Sequence, residues 1–169
     1  MIDVLEYPSP EAAETTVVYA VGDVHGRLDL LQAMDRLIAD DIAATRPERP
    51  TVCFLGDYID RGPHSAEVLS YFAAGSAALP ARVFLKGNHE DRMLEFFAAP
   101  EVHGPPWMEH GGIEALASYG LSTGREPAGG DWNGLRDGLR ERLPAPHLEF
   151  LRAFDSRSSG AATSSFMPG

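Results

Sequence analysis

Asp23 and His25 stand two residues apart in the segment Gly22-Asp23-Val24-His25-Gly26, directly after an apolar, β-branched run. On a tight turn such a pair offers one carboxylate oxygen and one imidazole nitrogen to a shared ion, and the flanking glycines permit the sharp backbone path. A mixed oxygen and nitrogen donor set suits Mn, Fe or Zn better than it suits Mg or Ca, which favour oxygen alone. A second segment, Gly56-Asp57-Tyr58-Ile59-Asp60-Arg61-Gly62, follows a second apolar run. Asp57 holds the same place after its run as Asp23 does, so both can point at one site, and the two oxygens of a carboxylate can bridge two ions. Arg61 adds a planar fork of donors suited to phosphate oxygens. A third segment, Gly87-Asn88-His89-Glu90, brings a neutral carbonyl oxygen from Asn88 and, in His89, a candidate general acid. Singly, each segment has an ordinary structural reading. Asp23 and Asn88 suit helix caps, and an exposed Asp60–Arg61 contact is worth little. Three such segments after three successive apolar runs are poorly explained by chance.

The elements that must position these residues are legible in outline. Residues 17–21 (VVYAV), 51–55 (TVCFL) and 82–85 (RVFL) read as strands. Leu28, Leu31, Met34, Leu37, Ile38 and Ile42 follow helical spacing, Ser65 to Phe72 carries Val68, Leu69 and Phe72 on one face, and Met93 to Phe97 continues as helix. Three strand–turn–helix units predict an α/β fold with a largely parallel sheet and helices packed on it. Ligands of such sheets gather beyond the carboxyl ends of the strands, where all three glycine-containing segments fall. Residues 100–147 are weaker in pattern. Gly104-Pro105-Pro106 and Gly129-Gly130 predict loops, with short helices near 113–119, 135–142 and 146–154. Residues 1–16, acidic and Pro-containing, read as a loose leader, and 155–169 as an irregular tail of small polar residues.

At 169 residues the chain suits one domain with a real core. An excess of 25 acidic over 14 basic residues argues against a nucleic-acid surface, which needs a basic stripe. It leaves room for a phosphorylated substrate, because a bound cation reverses the local field. The single cysteine, Cys53, excludes a disulfide framework and reads as a small buried hydrophobe. With no signal-like N-terminus and no membrane-length apolar stretch, a cytoplasmic protein is expected, without membrane or nucleic-acid partners. His64 reads as a helix-start residue, and His103 and His110 as ordinary exposed loop histidines. Trp107, Trp132, Phe96 and Phe97 read as packing, and Glu90 as support for local structure.

GDVHG, GDYIDRG and GNHE resemble the three N-terminal signatures of the phosphoprotein phosphatase branch of the calcineurin-like metallophosphoesterases. The resemblance runs from about Val17 to Phe154. WMEHGGIEALASYG (107–120) further resembles bacterial members, both protein phosphatases and symmetrical bis(5'-nucleosyl)-tetraphosphatases. The resemblance implies that Asp23 and His25 bind a first metal ion, that Asp57 bridges two, and that Asn88 binds the second. It implies that His89, oriented by Asp60, protonates the leaving alcohol, and that Arg61 holds the phosphate with Asn88 and His89 beside it. Two divalent ions, Mn²⁺ foremost with Fe or Zn as alternatives, would supply a metal-bridged hydroxide for direct in-line attack on a phosphomonoester.

Family members continue with a strand ending in His-Ala-Gly or His-Gly-Gly and later a Gly-His segment; this sequence has no strand-like run ending in the first and no Gly-His. A partial α/β/β/α sandwich is therefore expected over residues 17–154, with the N-terminal βαβαβα half present, the second half missing, and apolar faces uncovered. The second metal site would keep only Asp57 and Asn88, and activity would be impaired. Read one nucleotide earlier, the codons of the tail permit Val-His-Ala-Gly, so a frameshift between about Ala153 and Ser158 is expected to explain residues 155–169. A phosphoprotein is the first-choice substrate. A symmetrical bis(5'-nucleosyl)-tetraphosphatase-like hydrolase is the alternative, and a catalytically dead phosphate- or metal-binding module is a third reading.

Overall fold

A computed structural model describes residues 16–75 and 81–153. The leader read at 1–16 lies outside these residues except for Thr16, and the irregular tail at 155–169 lies outside them entirely. Strands β1 (Thr16–Val21), β2 (Arg49–Phe54) and β3 (Ala81–Phe84) form one parallel sheet in that order. Val18 pairs with Thr51, and Ala20 with Cys53, which in turn pairs with Val83. The crossovers run through α1 (Leu28–Thr45) and α2 (Ser65–Ala73), and α3 (Asn88–Ala98) follows β3. The predicted parallel α/β arrangement is thus present.

Strand side chains alternate between two unlike faces. On one, Val52 and Phe54 are fully buried. Phe54, Phe72 of α2, Phe84 of β3 and Phe150 of α7 (Ala145–Arg152) form an aromatic cluster with centroid spacings near 5 Å: Phe54–Phe72 4.9 Å, Phe54–Phe84 5.1 Å and Phe84–Phe150 5.1 Å. Beside it Arg82 of β3 ties to α1 and α2: Asp35 Oδ2 accepts from Arg82 Nη2 at 2.8 Å and from the Tyr71 hydroxyl. On the other face Val18, Leu55, Val83 and Leu85 are exposed. Cys53, expected to be buried, is only half-buried, because its alternation with Val52 and Phe54 turns it to this open face. The described residues therefore form one helical layer on one sheet and leave the sheet's second apolar face open, as a partial sandwich requires.

Residues 100–118 depart from the loop expected at Gly104-Pro105-Pro106. They form α4 (Pro100–Trp107), a turn kinked at Gly111 (Met108–Gly112) and α5 (Ile113–Ser118). Pro100 opens α4 at the position where its missing N–H does no harm. Pro105 and Pro106 each remove a ladder hydrogen bond. Packing overrides that loss: Trp107 is fully buried, and Gly104 lies so close under Trp132 of α6 (Trp132–Arg142) that a Cβ would overlap the indole. His103 and His110 consequently sit on helical turns rather than in a loop.

Candidate metal centre

Each glycine-containing segment leaves the carboxyl end of its strand and turns back sharply. His25, Asp57, Asp60 and Arg61 have φ of 44°, 55°, 71° and 65°. Among the described residues, Arg46 is the one other non-glycine with positive φ. Such conformations cost about 1–3 kcal/mol each and persist only where surrounding contacts over-determine them. Here the contacts are specific. The Val24 and His25 amides donate to Asp57 O at 3.0 and 2.9 Å, and the Gly26 amide donates to Tyr58 O at 2.8 Å, stitching the first turn to the second.

Glu90 stitches the second to the third. Its fully buried carboxylate accepts from the amides of Asp57 (2.9 Å), Tyr58 (2.8 Å) and Gly87 (2.9 Å). Burial pushes its pKa above the usual carboxylate range, opposed by those amides. Gly87 admits no larger residue, because a Cβ there would overlap the Asp57 carboxylate. Glu90, read from sequence as local support, is a clamp between two distant segments.

These turns bring ligating atoms of His25, Asp57 and His89 within 4.8 Å of one another. The Ile59 carbonyl accepts from His25 Nδ1 at 2.9 Å, which fixes the tautomer and leaves a lone pair on Nε2. Asp23 Oδ2 lies 3.5 Å from that nitrogen on a largely exposed side chain. Asn88 is the first residue of α3, beside His89, and is exposed. His25, Asp57 and His89 are thus brought together directly, with Asp23 and Asn88 at the margin.

Asp60 and His89 form a buried pair. His89 Nδ1 donates to Asp60 Oδ2 at 2.7 Å, with Asp60 fully buried and His89 nearly so. Burial pushes the Asp60 carboxyl upward, opposed by hydrogen bonds from His89 and Trp107. Trp107 Nε1 lies 2.9 Å from Oδ2 and 3.1 Å from Oδ1 of Asp60. Trp107, which reads from sequence as packing alone, is therefore also a polar partner of the site. The resemblance of residues 107–120 to bacterial members is the one signal in the sequence that points to this stretch, and it carries no role for the indole. Arg61 spans the centre, with Nη1 2.9 Å from His25 Nε2 and Nη2 3.3 Å from His89 Nε2. Next to it opens a cleft of about 400 Å³ lined by Arg61, His110, Gly111, Glu114 and Arg125 among others.

The donor set fits a divalent cation. His25, Asp57 and His89 each offer a ligating atom within 4.8 Å of the others, and the group the two histidines meet there is a cationic guanidinium. With Asp23 and Asp60 close by, this end of the sheet is rich in negative charge, which a bound cation would offset.

The sequence profile described as calcineurin-like phosphoesterase matches residues 16–161. The chain belongs to the calcineurin-like phosphoesterase family. Among curated relatives of this chain, serine/threonine-protein phosphatase PP1-1 of Saccharomyces cerevisiae is 35% identical over 109 residues, 64% of this chain and 30% of the relative. The serine/threonine-protein phosphatase PP2A-like PPG1 of Candida albicans is 38% identical over 79 residues, 46% of this chain and 17% of the relative. The symmetrical bis(5'-nucleosyl)-tetraphosphatase of Paracidovorax citrulli is 42% identical over 77 residues, 46% of this chain and 25% of the relative. The matches span less than a third of the length of each of these relatives. Family membership implies divalent metal ions, and no helix among the described residues is long and apolar enough to cross a membrane.

Proposed function

We propose that this calcineurin-like phosphoesterase hydrolyses phosphomonoesters with divalent metal ions, in the manner of serine/threonine protein phosphatases. The single observation that carries the reading is the convergence of His25, Asp57 and His89 within 4.8 Å at the carboxyl edge of a parallel sheet. Asp23, His25, Asp57 and Asn88 are the proposed metal ligands, and the mixed donor set favours Mn²⁺, with Fe or Zn as alternatives. When bound, the metal ions supply a water of lowered pKa and neutralise phosphate charge.

The chain's own residues do the rest. Arg61 presents two parallel donors to phosphate oxygens, exchanging its contacts with His25 and His89 for the substrate, and Asn88 and His89 line the same position. Asp60, ionised and accepting from His89 Nδ1, stabilises the imidazolium and holds its ring. His89 Nε2 then hands a proton to the leaving alkoxide. Trp107 and the surrounding core keep water from Asp60.

The domain so proposed is a partial metallophosphoesterase domain over residues 17–154. A phosphoprotein is the first-choice substrate, supported by the relatives named for protein phosphatases. A symmetrical dinucleoside tetraphosphate is the second, supported by the tetraphosphatase relative. An unpaired Cys53 supports a cytoplasmic setting. Metal analysis of purified protein, joined to assays of p-nitrophenyl phosphate, a phosphoserine peptide and a dinucleoside tetraphosphate with added Mn²⁺, tests the reading. Turnover lost in Asp57→Asn supports it. Metal or phosphate binding without turnover of any of the three would make the chain a binding module instead.

A further inference from the structure

We infer that Trp107 is a positioning residue for the proposed general acid, acting through Asp60; the inference rests on the reading of His89 above. A buried indole needs one acceptor for its N–H, and a backbone carbonyl would serve. Here the acceptor is the carboxylate that also orients His89, with both oxygens within reach, at 2.9 and 3.1 Å. Oδ2 meets both His89 Nδ1 and the indole, whereas Oδ1 meets the indole alone of the two. Removing that donor would leave a fully buried carboxylate oxygen unsatisfied and the carboxylate plane free to turn.

Trp107 itself is wedged. Phe96 of α3 packs at 5.0 Å between ring centroids, and a Cβ at Gly112 would come within 2.7 Å of indole Cδ2. In the turn that follows, the Gly111 carbonyl accepts from the Arg61 amide at 3.1 Å. Gly111 has φ of 107°, and a Cβ there would press on the Arg61 backbone. Trp107 and the kinked turn after it thus grip the two consecutive strained residues of the second segment, Asp60 through a side chain and Arg61 through the backbone.

The test separates positioning from packing by the leaving group. Protonation matters for a seryl alkoxide and little for p-nitrophenolate. Trp107→Phe keeps an aromatic ring and deletes the N–H. With Mn²⁺, kcat on a phosphoserine peptide should fall about tenfold or more, the range typical of a lost outer-shell orienting partner, with KM little changed and p-nitrophenyl phosphate much less affected. Trp132→Phe, which trims the other indole packed on α4, should scale both esters equally. Equal losses on the two esters in Trp107→Phe, or none on the peptide, overturn the inference. If the wild type turns over neither ester, the hydrolase reading fails separately. In that case nitrogen-15 NMR decides: exchange of the His89 Nδ1 proton with solvent should accelerate severalfold in Trp107→Phe, and unchanged exchange overturns the inference. Should Trp107→Phe not fold, Asp60→Asn must shift the Trp107 indole N–H resonance, and an unmoved resonance overturns it.

Discussion

Two buried histidines, His89 and His147, each have both ring nitrogens engaged, and the partners they engage give them different chemistry. His89 meets the carboxylate of Asp60 on one side and the guanidinium of Arg61 on the other. His147 of α7 meets two hydroxyls, Ser70 Oγ of α2 at 2.9 Å and the Tyr119 OH at 3.0 Å. Burial pushes the His147 imidazole below its usual 6.5, and burial, helped by the Glu67 carboxylate, pushes the Tyr119 phenol above its usual range. Either neutral tautomer satisfies both hydroxyls, and among the described residues no carboxylate hydrogen-bonds the ring as Asp60 does that of His89. His147 therefore pins α7 across α2 and Tyr119. A Ser–His contact in a helical layer is thus a packing device unless a carboxylate backs the ring.

Substitutions can break or sharpen this contrast, beginning with the largest effect. His89→Gln should lower turnover of alkyl phosphates about 10²–10⁴-fold, the usual contribution of a positioned acid. Asp57→Asn should reduce turnover by about a hundredfold or more, since even outer partners of a metal ligand are worth 10–100-fold, and metal analysis should show the loss directly. Glu90→Gln sets an amide donor against amides that Glu90 now accepts, so denaturant unfolding should register a loss of about 1–3 kcal/mol along with reduced metal binding. His147→Leu should lower stability by about 1–3 kcal/mol through the buried Tyr119 hydroxyl it strands, while leaving kcat unchanged. If His147→Leu instead removes activity at full stability, the assignment of His147 to packing is wrong.

The smallest effect is one of pH. Because the folded-state pKa of His147 is depressed, the unfolded chain binds more protons just below its ordinary value of 6.5. The contribution of His147 to stability is full above that value and is lost as pH falls toward the depressed folded pKa. Comparing wild type with His147→Leu in unfolding experiments at falling pH should show the slope in the wild type alone.

The three segments GDVHG, GDYIDRG and GNHE, and the strands before them, are legible because their signals are local: apolar runs ending in glycine and a carboxylate, amide or imidazole at fixed short spacings. That pattern is enough to name a parallel sheet, its ligand edge, and His25, Asp57 and His89 among the residues there. The helix at residues 100–107 is not legible, because Gly104, Pro105 and Pro106 in succession read as loop. It exists through contacts made far along the chain, chief among them Gly104 against Trp132. The same holds for Glu90, whose partners Asp57 and Tyr58 lie more than thirty positions away. Chemistry carried by residue type and short spacing is written in the sequence itself. Tautomer, strain and orientation depend on which distant groups share one buried place, and the tertiary structure alone decided them.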